Sequence, residues 1–332
     1  MAMDSVLAAP GALAVPVVGR YAPSPSGRMH LGNLCCCLLA WLSAKSKGGR
    51  VVLRVEDLDA ARCPRAYADL LERDLAWLGL APDEGGSLGG PAAPYYQSER
   101  AALYRRYYDL LDQKGLVYPC FCSRSQLHAA SAPHRADGQV IYPGTCRGLT
   151  PAEIDARSIR RAPARRIRVP APGDPAGRIA FTDGHLGPYA ECLARDCGDF
   201  YLRRADGVFA YQLAVVVDDA LMGVTEVVRG ADLLSSTPRQ IWLYRLLGFA
   251  VPQFYHLPLL LAPDGRRLSK RDGDESLEHL QARYTAPEII GRLAFACGLQ
   301  PTPAPAVPAA LLPDFCWEKV PKTDIFLPSG LF

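Results

Sequence analysis

The chain is short of several things. Beyond its start it holds no uncharged apolar run of about 18 residues, the length a helix needs to cross a bilayer, so no membrane span is expected. Its apolar beginning, residues 6–18, lacks the basic residues of a secretory signal and follows Asp4; residues 1–16 read as a leader running into a first strand. Net charge is small, since 37 Lys and Arg against 34 Asp and Glu leave +3, too little to announce a nucleic-acid partner by charge alone. There is no internal repeat. A disulfide framework is also excluded: 11 cysteines is an odd number, and Cys35, Cys36 and Cys37 stand together in an apolar run where pairing is awkward. The expectation is a cytoplasmic monomer.

What is there can make a core. The 332 residues are 49% hydrophobic and 21% charged, which excludes a disordered chain and fits one large domain or two moderate ones. Residues 15–21 read as a buried strand, 31–44 as a helix ended by Gly48 and Gly49, and 50–55 as a second strand. That strand–loop–helix–strand order favours a doubly wound parallel sheet. Amphipathic helices follow at 64–78 and 98–111. Residues 118–147 carry Cys, His, Pro and Gly without periodicity. A hairpin is expected over 199–211, helices at 213–222 and 238–247, and strands at 224–228 and 254–261. The Pro/Ala-rich stretch 301–308 reads as a linker or extended tail. Six arginines crowd residues 157–168, as either a solvated surface or an RNA-facing patch.

Three elements carry chemistry. The first is the loop from Pro23 to Asn33, with His30, Gly32 and Asn33 at the start of a helix, where backbone amides suit phosphate. The second is Arg267-Leu268-Ser269-Lys270-Arg271, a basic loop able to close over a triphosphate. The third is Cys120-Phe121-Cys122 with Cys146, three thiolates that can take three corners of a tetrahedral metal site. The fourth corner is open among Tyr142, His128 and His134, and chemistry alone favours a histidine.

The first two elements, in this order, resemble the HIGH and KMSKS signatures of class I aminoacyl-tRNA synthetases. Arg20 to Gly27, Arg54 to Asp59, Tyr211 to Asp219 and Val228 to Asp232 are similar to the glutamyl branch, over about residues 17–300. Asn33 replaces the second His and Arg267 the first Lys; both keep a donor or a charge. The resemblance implies a Rossmann-like fold in two halves, 17–118 and 199–262, split by a zinc-binding insertion at 119–198. The KMSKS-like loop and a helical segment follow at 263–300, with a Pro-rich tail at 301–332. It implies glutamate binding by Arg20, Tyr21, Ala22, Pro23, Ser24, Glu56, Tyr211 and Arg229. ATP, with Mg²⁺, would meet His30, Gly32, Asn33 and Lys270, and His30, Asn33, Lys270 and Arg271 would be catalytic. It also implies a structural Zn²⁺ on Cys120, Cys122, Tyr142 and Cys146. Only about sixty residues follow Arg271, too few for an anticodon-binding domain. The pattern therefore resembles the glutamyl-Q tRNA(Asp) synthetases, stand-alone cores that activate L-glutamate without tRNA and attach it to queuosine at the wobble position of tRNA-Asp. The rival readings are a truncated enzyme charging the 3′ end of tRNA-Glu and a non-enzymatic zinc RNA-binding module.

Overall fold

The computed structural model describes residues 16–123, 141–266 and 276–332. Strand β1 (Val18–Tyr21) leads through the loop of the first motif into α1 (Leu31–Lys45), and β2 (Arg50–Leu53) returns parallel to β1, with Val18 opposite Arg50. The α1 sequence makes a helix that buries Leu31, Leu34, Leu38 and Leu42. Gly49 lets the chain reverse behind it, because a Cβ there would lie 2.4 Å from the Val17 carbonyl oxygen. After α2 (Arg65–Trp77), the short β3 (Glu84–Gly85) adds in parallel to β2.

The chain then runs through α3 (Ala101–Gln113) to β4 (Val117–Cys120), α4 (Pro151–Ser158), β5 (Ala164–Ile167), β6 (Arg178–Asp183), β7 (Gly187–Cys192), α5 (Leu193–Asp196) and β8 (Phe200–Arg203). Strands β4, β5 and β8 form an antiparallel sheet, and β6 and β7 a hairpin. In this sheet β4 straddles the start of the expected insertion, and β8 lies just beyond its end. The expected hairpin at 199–211 keeps only its first arm as a strand, since the return is a single bridge between Arg203 and Phe209 and Tyr211 already opens a helix.

That helix, α6 (Tyr211–Leu221), leads to β9 (Glu226–Gly230), α7 (Thr237–Leu247) and β10 (Gln253–Leu257), with β10 parallel to β9. Pro258 separates β10 from β11 (Leu260–Leu261), where one strand was expected. Beside β1, the Thr225 amide donates to the Val18 carbonyl at 3.0 Å, so β9 lies on the side of β1 away from β2. Along β2, Val51 and Leu53 join one apolar cluster with α1 and α2, whereas Val52 joins another with α3, α6 and α7. Helices therefore cover both faces, as a doubly wound parallel sheet requires. The strand order reverses between β1 and β9, which opens a crevice at their carboxyl ends.

After α8 (Leu277–Gln281) and α9 (Ala286–Ala296), the chain passes through an exposed stretch at 301–305. Beyond it the expected tail is instead folded into the core. Leu311, Trp317, Val320, Ile325, Leu327 and Leu331 are buried in the α1 cluster. Trp317 Nε1 donates to Ser43 Oγ at 3.0 Å, and β12 (Ile325–Phe326) pairs in parallel with β11. Proline richness marks only the connection, and the apolar residues behind it are spaced too irregularly to read as an element. No described helix is long and apolar enough to cross a membrane.

Candidate active site and cysteine cluster

The crevice between β1 and β9 holds a cleft of about 770 Å³. It is lined by Arg20, Tyr21, Ala22, Pro23 and Ser24 from the end of β1, and by His30, Gly32 and Asn33 at the start of α1. Glu56, Tyr211 and Arg229 line it too. Every residue expected in the glutamate and ATP sites thus meets in one place, apart from Lys270 and Arg271, which lie outside the described residues.

His30 caps α1, accepting at Nδ1 from the Gly32 amide at 3.1 Å, while the His30 amide donates to Asn33 Oδ1 at 3.3 Å. A Cβ at Gly32 would lie 3.0 Å from the imidazole, a tight contact that would crowd the cap. An accepting Nδ1 puts the proton of the neutral ring on Nε2, so the cap fixes a histidine that donates from its far nitrogen. Asn33, in turn, keeps its amide NH₂ as a donor. Structural capping and phosphate chemistry are compatible in the same side chains.

Arg20 and Glu56 of the cleft are tied to a network of buried charge. Asp218 and Asp219, side by side on α6, are both buried. Asp219 pairs with Arg54 and lies 3.9 Å from Arg20 Nε, and Asp218 accepts from Arg100 Nε at 2.6 Å, Tyr104 at 2.9 Å and Gln97 at 2.8 Å. Arg54 also donates to Glu56 at 3.0 Å. Residues two apart on an extended chain face the same way, and that signal in Arg54-Val55-Glu56 is legible from sequence. Burial pushes the Glu56 carboxyl above its usual range, against the pull of Arg54 and Arg20. Arg100, Gln97 and Tyr104 went unread as parts of this network, for nothing local marks them.

Arg229 differs from its neighbours. It is 3% exposed, its Nε donates to His256 Nε2 at 3.1 Å and its Nη2 to Thr237 Oγ1 at 2.7 Å. Its Nη1 is buried without a hydrogen-bond partner, and no carboxylate among the described residues lies within 4 Å of it. Burial holds this guanidinium below its ordinary pKa, and the neighbouring Arg20 adds to the effect. A buried cation set among neutral acceptors is unfavourable until an anion arrives.

About the second constellation, the Sγ atoms of Cys120, Cys122 and Cys146 lie within 4.8 Å of one another. Cys122 Sγ stands 3.6 Å from Cys146 Sγ, and the Tyr142 hydroxyl 3.6 Å from Cys120 Sγ and 3.9 Å from Cys122 Sγ. A tetrahedron with metal–sulfur bonds of about 2.3 Å has sulfur–sulfur edges near 3.8 Å, a spacing that the Cys122–Cys146 separation approaches. Burial and the neighbouring thiols raise Cys122 to about 11, a cost a cation would offset. His128 and His134 lie outside the described residues. Above the cluster sits Arg166, 4% exposed, donating to Cys120 Sγ at 3.3 Å and to the Asp199 carbonyl at 2.6 Å. Its guanidinium lies 3.8 Å from the Tyr142 ring centre and 3.7 Å from that of Tyr201. Among the six clustered arginines, this one is neither solvated nor RNA-facing.

A family model described as "tRNA synthetases class I (E and Q), catalytic domain" matches residues 16–304. The chain belongs to that family. This synthetase is accordingly a ligase. It is 51% identical over 94% of its length to a protein of Symbiobacterium thermophilum named glutamyl-Q tRNA(Asp) synthetase, covering 96% of that relative. To glutamate–tRNA ligase 2 of Alkalilimnicola ehrlichii it is 45% identical over 82% of the chain, but over just 56% of that protein. A crystal structure of a glutamate tRNA ligase from Elizabethkingia meningosepticum, in complex with its amino acid, superposes with a TM-score of 0.80 at 28% identity. That superposition covers 96% of this chain and 68% of the ligase.

Proposed function

We propose that this synthetase activates L-glutamate with ATP, without tRNA, and then transfers the glutamyl group to queuosine at the wobble position of tRNA-Asp. The observation that carries the glutamate pocket is Arg229, a buried cation with one nitrogen unpartnered, beside Arg20 and the acidic Glu56 in a single cleft. Two guanidinium groups offer charge-assisted hydrogen bonds to the two carboxylates of glutamate, Glu56 accepts from its ammonium, and Tyr211 forms a wall. Glutamine would leave one cation unmatched and be rejected. Support for the queuosine step comes from the relatives: the chain parallels proteins named glutamyl-Q tRNA(Asp) synthetase over 96% of the Symbiobacterium protein's length. Such a tRNA substrate implies a cytoplasmic site of action.

In the first half-reaction an α-carboxylate oxygen attacks the α-phosphorus of ATP, and the bond to the departing pyrophosphate breaks. The nucleophile is already ionised near neutral pH, so catalysis is positioning and charge stabilisation. His30 Nε2–H, the Asn33 amide and the amides opening α1 would face the phosphates, with Mg²⁺ entering on the nucleotide. Lys270 and Arg271 would add charge from the loop. Cys120, Cys122, Tyr142 and Cys146 would hold Zn²⁺, which when bound cross-links the insertion and supplies no chemistry. The test is transfer of labelled glutamate to tRNA-Asp with and without queuosine, with the ester located by periodate. Transfer confined to queuosine-bearing tRNA-Asp is expected. Charging of tRNA-Glu at its 3′ end would overturn the reading.

A further inference from the structure

Arg229 is held by a device that reaches well outside the cleft. An arginine donates and never accepts, so His256 Nε2, 3.1 Å from Arg229 Nε, must present its lone pair. The proton of the neutral imidazole is then on Nδ1, which donates to Asp183 Oδ2 at 2.6 Å. Asp183 is in turn fixed from three sides, accepting from the amides of His185 at 3.0 Å, Leu186 at 2.9 Å and His256 at 3.1 Å. Thr237 Oγ1, which accepts from Arg229 Nη2, lies 3.1 Å from the same imidazole nitrogen. Asp183, Thr237 and His256 are all at most 2% exposed.

Two acceptors on two different nitrogens define the plane of a guanidinium, and both acceptors here are neutral. A carboxylate in the place of His256 would orient Arg229 equally well but would cancel its charge and compete with a substrate carboxylate. The imidazole orients without neutralising, and the acid that fixes its tautomer stands one group further away.

We propose that His256, locked by Asp183, is a positioning residue that sets Arg229 to receive a substrate carboxylate, making the end of the β6–β7 hairpin part of the specificity apparatus. This rests on the reading of the cleft as a glutamate pocket.

The test is glutamate-dependent ATP–pyrophosphate exchange with the full chain, measuring KM for glutamate and for ATP separately. His256→Leu removes the acceptor and should raise the glutamate KM by about tenfold or more, while the ATP KM stays as in the parent. His256→Gln should recover most of the loss, because its amide oxygen can accept from Arg229 and its NH₂ can donate to Asp183. Equal rises in both KM values, or no recovery with glutamine, would overturn the positioning role. Should His256→Leu fail to fold by thermal melting, Asp183→Asn gives the same reading: its amide can turn a donor towards Nδ1 and force a proton onto Nε2, facing Arg229. A glutamate KM unchanged in Asp183→Asn would then overturn the proposal. Arg229→Ala separates the two ideas. If it leaves the glutamate KM unaltered the pocket reading itself fails, whereas a large rise there with none in His256→Leu defeats the positioning role alone.

Discussion

Arg229 and Arg166 are both buried arginines, each in the heart of a constellation, yet their surroundings give them opposite tasks. Arg166 is consumed by the fold: sulfur, a carbonyl and two aromatic rings engage it, and the nearby tyrosines and Cys120 hold its pKa above the ordinary value in spite of burial. Arg229 has a pKa held below the ordinary value, two neutral acceptors and one nitrogen left over. A cation whose partners are complete is architecture. One whose partners orient it and leave its charge uncancelled is prepared for a ligand.

The strongest break in this contrast is expected from Arg229→Ala. Loss of a buried charge-assisted contact of roughly 2–5 kcal/mol should lower kcat/KM for glutamate about 30- to 5,000-fold in pyrophosphate exchange, with the melting temperature nearly unchanged. On the other side, Cys120→Ser should release zinc in metal analysis and lower the melting temperature, since ligation contributes to folding. Arg166→Met keeps the stem and removes the charge. Zinc affinity, measured by competition with a chelator, should fall about 10- to 100-fold, with the glutamate KM unmoved. A shift in glutamate KM there would dissolve the division of labour between the two regions.

The smallest effect is in pH dependence. Glu56 has a carboxyl pKa raised above 4.5 in the fold. A raised acid binds protons more readily folded than unfolded, so the stability it contributes is present at low pH and is lost as pH rises through the folded value. In the proposed pocket, function would run the other way, since the ammonium of glutamate would need an ionised Glu56. The acid limb of kcat/KM for glutamate should therefore lie above pH 4.5 and vanish in Glu56→Gln.

One side of the cleft was legible because its parts are local: a strand, a turn, and a helix capped by His30 bring Arg20 to Asn33 together within a short stretch, whereas Tyr211 and Arg229, far along the chain, were expected only through the family resemblance. The cysteine cluster was likewise marked by close spacing. Arg166 was not, because three arginines at 165, 166 and 168 hide the strand that turns one of them inward. Nor was the packing of the last residues, where Trp317 finds Ser43 at a separation of 274 positions. His256 shows no local sign of its role, since Asp183 stands 73 residues away on another hairpin.

The pairing of β11 with β12 has a consequence in time. Leu259, just ahead of β11, accepts from the Ile325 amide and donates to Asp324, 65 residues further along. At a synthesis rate of about 5–20 residues per second, β11 waits roughly 3–13 s for its partner strand to emerge. Through that interval the segment leading to Lys270 has no parallel neighbour at β12's position. In a growing chain, the wall of the cleft beyond β10 is therefore finished last, after the Arg20 and Arg229 strands can already have met.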